Sequence, residues 1–294
     1  MLEDCVYRKI FLQAAWTTEL GMPTWGVSLL LIAAVALVVC CLLFSGFFRV
    51  AQRLDNYGIV DIIWSYAFGL VALVYAVLAG GWAPRRWLVA TLVFCWSLRL
   101  GTYLYRRVMG HHPVEDGRYR ELRVRWAANF AREMSRFYQL QAVSVVILAT
   151  PFLLALGRTE IGLTVSDGLA LALFVFSLAG EALADGQLSA FKRDAANKGR
   201  VCEAGLWAWS RHPNYFFVWL SWVSFAVFAW PAPWGWLGLI APGGILYLML
   251  FVTGIPMTEE QALRTKGDAY RDYQRRVSAF VPWFPRKTSL PLSS

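Results

Sequence analysis

Long apolar blocks alternate with polar stretches along this chain, and the blocks have the length of a bilayer. They fall at roughly 27–48, 59–80, 87–105, 138–157, 166–184, 214–231 and 235–255. Each approaches the ~20 residues that a helix needs to cross hydrocarbon. The pattern predicts an all-α integral membrane protein with seven transmembrane helices. Two connections are short turns, around Pro84–Arg86 and Pro231–Trp234, while three polar regions are long: 106–137, 185–213 and 256–294. The chain then has three parts: an N-terminal segment over 1–26, a transmembrane domain over 27–255 and a C-terminal tail over 256–294. Residues 1–26 mix Glu3, Asp4, Arg8, Lys9 and Glu19 with apolar residues and lack the layout of a signal peptide. They read either as an interfacial helix with Phe11, Trp16 and Trp25 at the headgroups or as a partly ordered tail. No internal repeat stands out.

Composition sharpens this picture. The 294 residues are 58% hydrophobic and 16% charged, against about 45–50% and about 25% in soluble domains. The formal charge of +9 points to basic loops rather than to nucleic acid. The loops after expected spans one, three, five and seven hold 22 of the 28 lysines and arginines, and the opposite side holds 5. By the positive-inside rule the N-terminus is outside and the C-terminus cytoplasmic, as in a bacterial inner-membrane protein. Five scattered cysteines and three histidines form no metal-ligand spacing, so no metal is expected.

Ionisable groups at bilayer depth are costly and mark function. Asp61 opens the second expected span, followed by Trp64 and Tyr66. Arg99 lies in the third, with Tyr103 one turn on. Glu181 and Asp185 end the fifth, on one helix face. Arg99 pairs with Asp61 or Glu181 as a structural bridge, or these groups line a polar cavity. The segment 185–215 carries Lys192, Arg200, Trp209 and the run Arg211-His212-Pro213-Asn214-Tyr215. Pro213 suits a first helical turn, whose exposed N–H groups favour an anion. Lys192, Arg200 and Arg211 are candidates for phosphate, as guanidinium groups bind it in a fork. Trp209 and Tyr215 are candidates for stacking on a base or sugar. Lipid headgroups also explain the basic residues well, but not Asp185, Asn214 and the tight Arg-His-Pro-Asn-Tyr run. The tail adds Glu259, Glu260, Arg264, Tyr270, Arg271 and Tyr273, either as a lid over the cytoplasmic mouth or as an amphipathic surface helix. The chain carries no dinucleotide fingerprint of the G-x-G-x-x-G type and no P-loop.

These segments resemble the steroid 5α-reductase superfamily, and more closely a bacterial branch of it described as a domain of unknown function. The matching pieces are Tyr57-Gly-Ile-Val-Asp61-Ile-Ile-Trp64, Trp96-Ser-Leu-Arg99, Gly180-Glu181-Ala-Leu-Ala-Asp185, Asn197-Lys-Gly-Arg200, Gly205-Leu-Trp-Ala-Trp209-Ser-Arg-His-Pro-Asn214-Tyr215, Glu259-Glu260 and Tyr270-Arg-Asp-Tyr273. The resemblance runs in order over about residues 57–285. It implies seven helices whose cytoplasmic loops and tail cap a pocket for NADPH, and reduction of a carbon–carbon double bond in a lipid from the bilayer. By position it makes Arg99, Tyr103, Glu181, Asp185, Lys192, Arg200, Trp209, Arg211, His212, Asn214, Tyr215, Trp222, Glu260, Arg264, Tyr270 and Tyr273 cofactor candidates. In steroid reductases a glutamate and a tyrosine on early spans stabilise the oxygen that gains charge. Here Asp61 and Trp96 stand nearest those positions, so Asp61, Trp64, Tyr66 and Trp96 are the catalytic candidates, with Tyr103 and Tyr105 as nearby tyrosines. A steroid-like, an isoprenoid and a fatty-acyl substrate are equally open.

A second enzyme class shares part of the pattern. Isoprenylcysteine carboxyl methyltransferases also carry an Arg-His-Pro-x-Tyr run and a paired glutamate, and use S-adenosylmethionine. A third reading is a lipid-binding membrane protein without chemistry. The basic and aromatic density of 185–215 places the NADPH reductase first.

Overall fold

A computed structural model describes residues 24–252 and 254–286. The expected N-terminal segment therefore lies almost wholly outside the described residues. Helices account for every described element, and backbone pairing of strand type is confined to one bridge between Ser210 and Ser278. Six helical segments are long and apolar enough to cross a membrane: Ser28–Leu54, Ile59–Leu78, Ala83–Gly110, Ala127–Leu156, Val165–Arg193 and Gly235–Lys266. By length and composition this is an integral membrane protein. The expected span at 214–231 corresponds to the apolar helix Pro213–Ala229, whose 17 residues reach only about 25 Å at ~1.5 Å per residue.

The chain divides into two compact units, at Gly162 and Leu163. That boundary differs from the expected divisions at 26 and 255, and residues 256–286 fold as part of the second unit. The first unit holds α1 (Thr24–Leu54), α2 (Ile59–Leu78), α3 (Ala83–Gly110), the short α4 (Gly117–Arg125), α5 (Phe130–Leu148) and α6 (Thr150–Leu156). The helices α2 and α3 cross closely because small residues recur four apart on both. Ser97 Oγ donates to the Ser65 carbonyl at 2.6 Å and accepts from Gly69 N–H at 3.0 Å. One turn on, a Cβ on Gly101 would stand 2.5 Å from the Tyr66 ring. Such small-residue seams substitute for a hydrophobic driving force in lipid. The expected single span at 138–157 is broken at Ala149, with Pro151 in the first turn of α6, because proline has no N–H to continue the ladder.

The second unit holds α7 (Val165–Arg193), α8 (Pro213–Ala229), α9 (Ile240–Tyr247), α10 (Ile255–Lys266) and α11 (Asp268–Arg276). Thr164 and Asp167 form a reciprocal capping box at the start of α7. Its last turn carries Lys192 and Arg193, where cations complement the helix dipole. The helix runs two turns past its expected end at 184, since a helix satisfies its own backbone in water as well as in lipid. The expected span at 235–255 is segmented: a 3-10 stretch, then α9, then a π turn over Leu248–Val252, then α10.

The crossing of α7 and α8 depends on Gly180, where a Cβ would stand 2.3 Å from the Phe217 ring, and on a 2.7 Å hydrogen bond between the Ser177 and Ser221 hydroxyls. Gly180→Ala should destabilise the second unit by about 2 kcal/mol through overpacking. Gly168→Ala on the same helix, where nothing lies within 4 Å, should be neutral or gain up to ~1 kcal/mol from helix propensity. Thermal unfolding of both variants in detergent reads the two opposite signs.

Candidate functional site

Each unit builds its own polar cluster. In the first, Asp61 sits in the first turn of α2, and its carboxylate collects donors from α4. Tyr119 Oη donates to Oδ1 at 2.7 Å and Arg118 Nη2 to Oδ2 at 2.7 Å. Arg107 Nη2 stands 3.8 Å from Oδ2. Asp116 caps α4 by accepting from Arg118 N–H. Burial pushes the Asp116 carboxyl up, but Arg118 and Arg107 outweigh it and hold the carboxyl below its usual value. Burial first, then the Asp61 charge, hold the Tyr119 phenol well above its ordinary range. Tyr119 is thus a neutral donor that keeps its proton. Beside this cluster Glu115 accepts from Tyr57 N–H at 2.7 Å and from Arg123 Nε at 2.7 Å.

The other catalytic candidates occupy packed positions in the same unit. Trp64 donates from Nε1 to Ser144 Oγ at 3.0 Å and meets Phe68 edge to face. Tyr66 shares a 3.1 Å hydrogen bond with Thr102. Trp96 is buried against Phe68. Arg99 is half-buried, and Tyr103 is exposed.

In the second unit the run from Arg211 to Tyr215 meets the tail. Arg211 donates from Nε to Glu259 Oε1 at 2.6 Å and from Nη1 to the carbonyls of Gln274 at 2.9 Å and Val277 at 2.6 Å. His212 Nε2 lies 3.3 Å from the same carboxylate oxygen, and Gln274 donates to its other oxygen at 2.8 Å. The His212 and Tyr215 rings stack at 5.3 Å. Asn214 donates to Asp185 at 3.1 Å, joining the end of α7 to the start of α8. Tyr273 Oη donates to the carbonyls of Trp207 and Ser210 at 2.5 and 3.2 Å. Tyr270, Tyr273 and Val277 form a small core that Val201, Ala262 and Leu263 extend. Burial raises the pKa of both tyrosines, so they too keep their protons.

The cofactor candidates therefore separate by environment. Arg211, His212, Asp185, Asn214, Tyr215, Tyr270 and Tyr273 are drawn into one hydrogen-bonded knot. Trp222 is buried and Glu181 is buried on α7. Lys192 and Arg200 are exposed. Glu260 pairs with Arg264 at 2.6 Å on the exposed face of α10, and Trp209 is exposed beside Phe284 at 5.1 Å. Lys192 and Lys266 lie in the last turns of α7 and α10. Neither has an ion pair among the described residues.

Three residues central to the clusters were not among the sequence candidates. Arg118 and Tyr119 complete Asp61, and no local spacing points to partners 57 and 58 residues away. Glu259, rather than its neighbour Glu260, holds Arg211. The helical spacing of Glu259, Ala262 and Leu263, with the latter two packed on the tyrosine core, was the available signal for which glutamate faces inward.

Residues 47–277 match a family described as "Protein of unknown function (DUF1295)". The chain belongs to this family. An uncharacterized protein of the fission yeast Schizosaccharomyces pombe is 30% identical to this DUF1295 chain in an alignment 283 residues long that covers 84% of the chain and 79% of that protein. No solved structure matches the DUF1295 chain.

Glu259→Gln should loosen the tail, because removing one charge from a largely buried pair strands the other. The expected loss is about 3 kcal/mol, with faster proteolytic cleavage in 268–286. Glu260→Gln, which removes half of an exposed i,i+4 pair, should cost under about 0.5 kcal/mol. Equal effects of the two substitutions on protease sensitivity would break this assignment.

Proposed function

We propose that the protein is an NADPH-dependent membrane reductase that delivers hydride to an activated carbon–carbon double bond of a steroid-like, isoprenoid or fatty-acyl lipid. The reading relates this DUF1295 chain to the steroid 5α-reductase superfamily through the motifs that run from Tyr57 to Tyr273. It takes Pro213–Ala229 as a seventh span, tilted little or drawing the bilayer thinner. The N-terminus is then outside and the C-terminus cytoplasmic.

The observation that carries it is a set of basic side chains with no ion pair among the described residues: Lys192 and Lys266 in the last turns of α7 and α10, and the exposed Arg200. Cations without a counter-ion gain from binding an anion. Arg200 lies in the loop that follows α7. The cations therefore fit the phosphates of a dinucleotide, and the 2′-phosphate of NADPH in particular needs a cationic partner. NADPH would supply the hydride. The knot of Arg211 and Glu259 closes the tail over α8 and keeps water from its core.

One observation favours the alternative of an S-adenosylmethionine-dependent methyltransferase. Arg211, a phosphate candidate, has its Nε and Nη1 donors engaged by Glu259 and two carbonyls, and S-adenosylmethionine carries no phosphate.

Calorimetric titration of the detergent-purified protein with NADPH, NADH and S-adenosylmethionine separates these readings. NADPH should bind, and Lys192→Ala and Arg200→Ala should each weaken it about tenfold, in line with ~1.5 kcal/mol for a charged hydrogen bond, without changing thermal unfolding. Binding of S-adenosylmethionine alone would move the protein to the methyltransferase class. Binding of neither would leave a lipid-binding protein. With a confirmed substrate, Asp61→Asn should lower turnover more than NADPH affinity, and equal turnover would remove Asp61 from catalysis.

A further inference from the structure

The last described stretch of the tail is held at a defined place. Arg211 N–H donates to the Ser278 carbonyl at 2.8 Å, Ser210 Oγ to the Phe280 carbonyl at 2.8 Å, and Trp283 N–H to the Trp209 carbonyl at 2.9 Å. Phe280 packs edge to face on Phe216 and Trp219, at 5.7 and 5.8 Å, in the first two turns of α8. Residues 278–283 are thus laced onto the segment that leads into an apolar helix.

The side chains around this stretch are exposed and unlike an ordinary soluble surface. Trp283 and Phe284 are 67% and 69% exposed, and Trp209 and Val281 are 45% and 49% exposed. Next to them lies a pocket of about 600 Å³ lined by Arg211, Arg275, Arg276, Arg286, Trp283 and Phe284 among others. No carboxylate among the described residues lines it. Arg211, Arg275 and Arg276 pair with Glu259, Asp272 and Glu203, none of which lines the pocket. Arg286 has no ion pair among the described residues, and its backbone N–H anchors on the Arg276 carbonyl at 2.9 Å.

We propose that this pocket is a docking site for the headgroup of an anionic phospholipid, with Trp283, Phe284 and Trp209 lying in the interfacial layer around it. Charge selects the headgroup: arginine forks bind phosphate, and each basic residue near an anionic leaflet adds to the attraction. Depth selects a lipid over a soluble anion. Aromatic residues concentrate at the membrane interface, and a soluble phosphate would leave two indoles and a phenyl ring in water. The positioning of 280–283 on the first turns of α8 puts those rings at the level where that helix leaves the bilayer. The site rests on α8 being a span and does not depend on the cofactor.

The test uses the full chain in neutral detergent, with lipid occupancy read by native mass spectrometry during titration with phosphatidylglycerol or phosphatidylcholine. Phosphatidylglycerol should be retained at lower concentration than phosphatidylcholine. In the Arg275→Ala/Arg286→Ala variant its half-saturation should rise about thirtyfold, the product of ~1 kcal/mol for each arginine. Trp283→Ala should weaken retention of both lipids. Both sites are exposed, so unfolding temperatures should not move. Equal retention of the two lipids, an unchanged double variant, or displacement of the lipid by inorganic phosphate alone would overturn the proposal. Displacement by NADPH would overturn it too, by assigning the pocket to the dinucleotide. A preparation that binds no NADPH yet keeps the lipid preference would support the lipid site while ending the reductase reading.

Discussion

In hydrocarbon a backbone N–H or C=O without a partner costs several kcal/mol, and most of this structure is organised by that cost. Helices settle it internally, which is why every apolar block becomes one. Where the chain leaves helical geometry, side chains take over. Arg85 donates to the carbonyls of Glu160 and Gly162, at 2.9 and 2.5 Å, in the turn that closes the first unit. Tyr138 donates to the Tyr57 carbonyl at 3.0 Å beside the turn between α1 and α2. In the second unit Trp207 reaches the Ala184 carbonyl at 2.9 Å and Trp219 the Pro242 carbonyl at 3.0 Å. Arg211 and Tyr273 serve four more carbonyls where the tail meets α8. Several polar residues that look out of place in an apolar sequence are there to satisfy irregular backbone.

The two carboxylate clusters extend the same logic. Asp61 and Glu259 each gather donors from a segment distant in the chain. Each thereby fixes a polar segment to the end of an apolar helix. Asp61 ties α4 to α2, and Glu259 on α10 ties the run before α8 to the last turn of α11 through Arg211 and Gln274. A carboxylate with two or three donors is well suited to this, since its four lone-pair directions accept from several sides at once. The same engagement limits what either group offers to a ligand. A proton-handling role for Asp61 requires that Tyr119 or Arg118 share the task or move aside.

The spans were legible because their signal is local. Twenty apolar residues in succession have one physical explanation, and helix ends at Pro84, Pro151 and Pro213 follow from proline chemistry. The break at Ala149 was legible only in hindsight of Pro151, since a proline in the first turn of a new helix and one kinking an old helix look alike in sequence. The roles of polar residues were not local. The Arg211 to Tyr215 run read as an anion site because arginine, a helix start and aromatics coincide there. What the sequence concealed was that Glu259, 48 residues on, and two tail carbonyls occupy the same guanidinium. Tyr270 and Tyr273 show the converse. Their shared face was readable from helical spacing, but whether it meets a ligand or the chain's own core depends on packing partners that spacing does not name.

Once the internal partners are removed, the basic residues sort by type. The arginines at 85, 118, 123 and 211 bind carboxylates and carbonyls, as suits a flat group with five fixed donors. Lys192 and Lys266 are compact point charges with no ion pair among the described residues, and Arg200 is exposed. A lysine gains little from ordering several carbonyls and much from a single multivalent anion that is free to come and go. The chain thus uses guanidinium groups chiefly to build and leaves ammonium groups to bind. The exception is the pocket lined by Arg275, which pairs with Asp272, and by Arg286, which has no ion pair among the described residues, beside exposed aromatic rings. There the planar geometry suits a phosphate held at fixed depth, and this is why a site at the interface differs in residue type from one that exchanges a soluble cofactor.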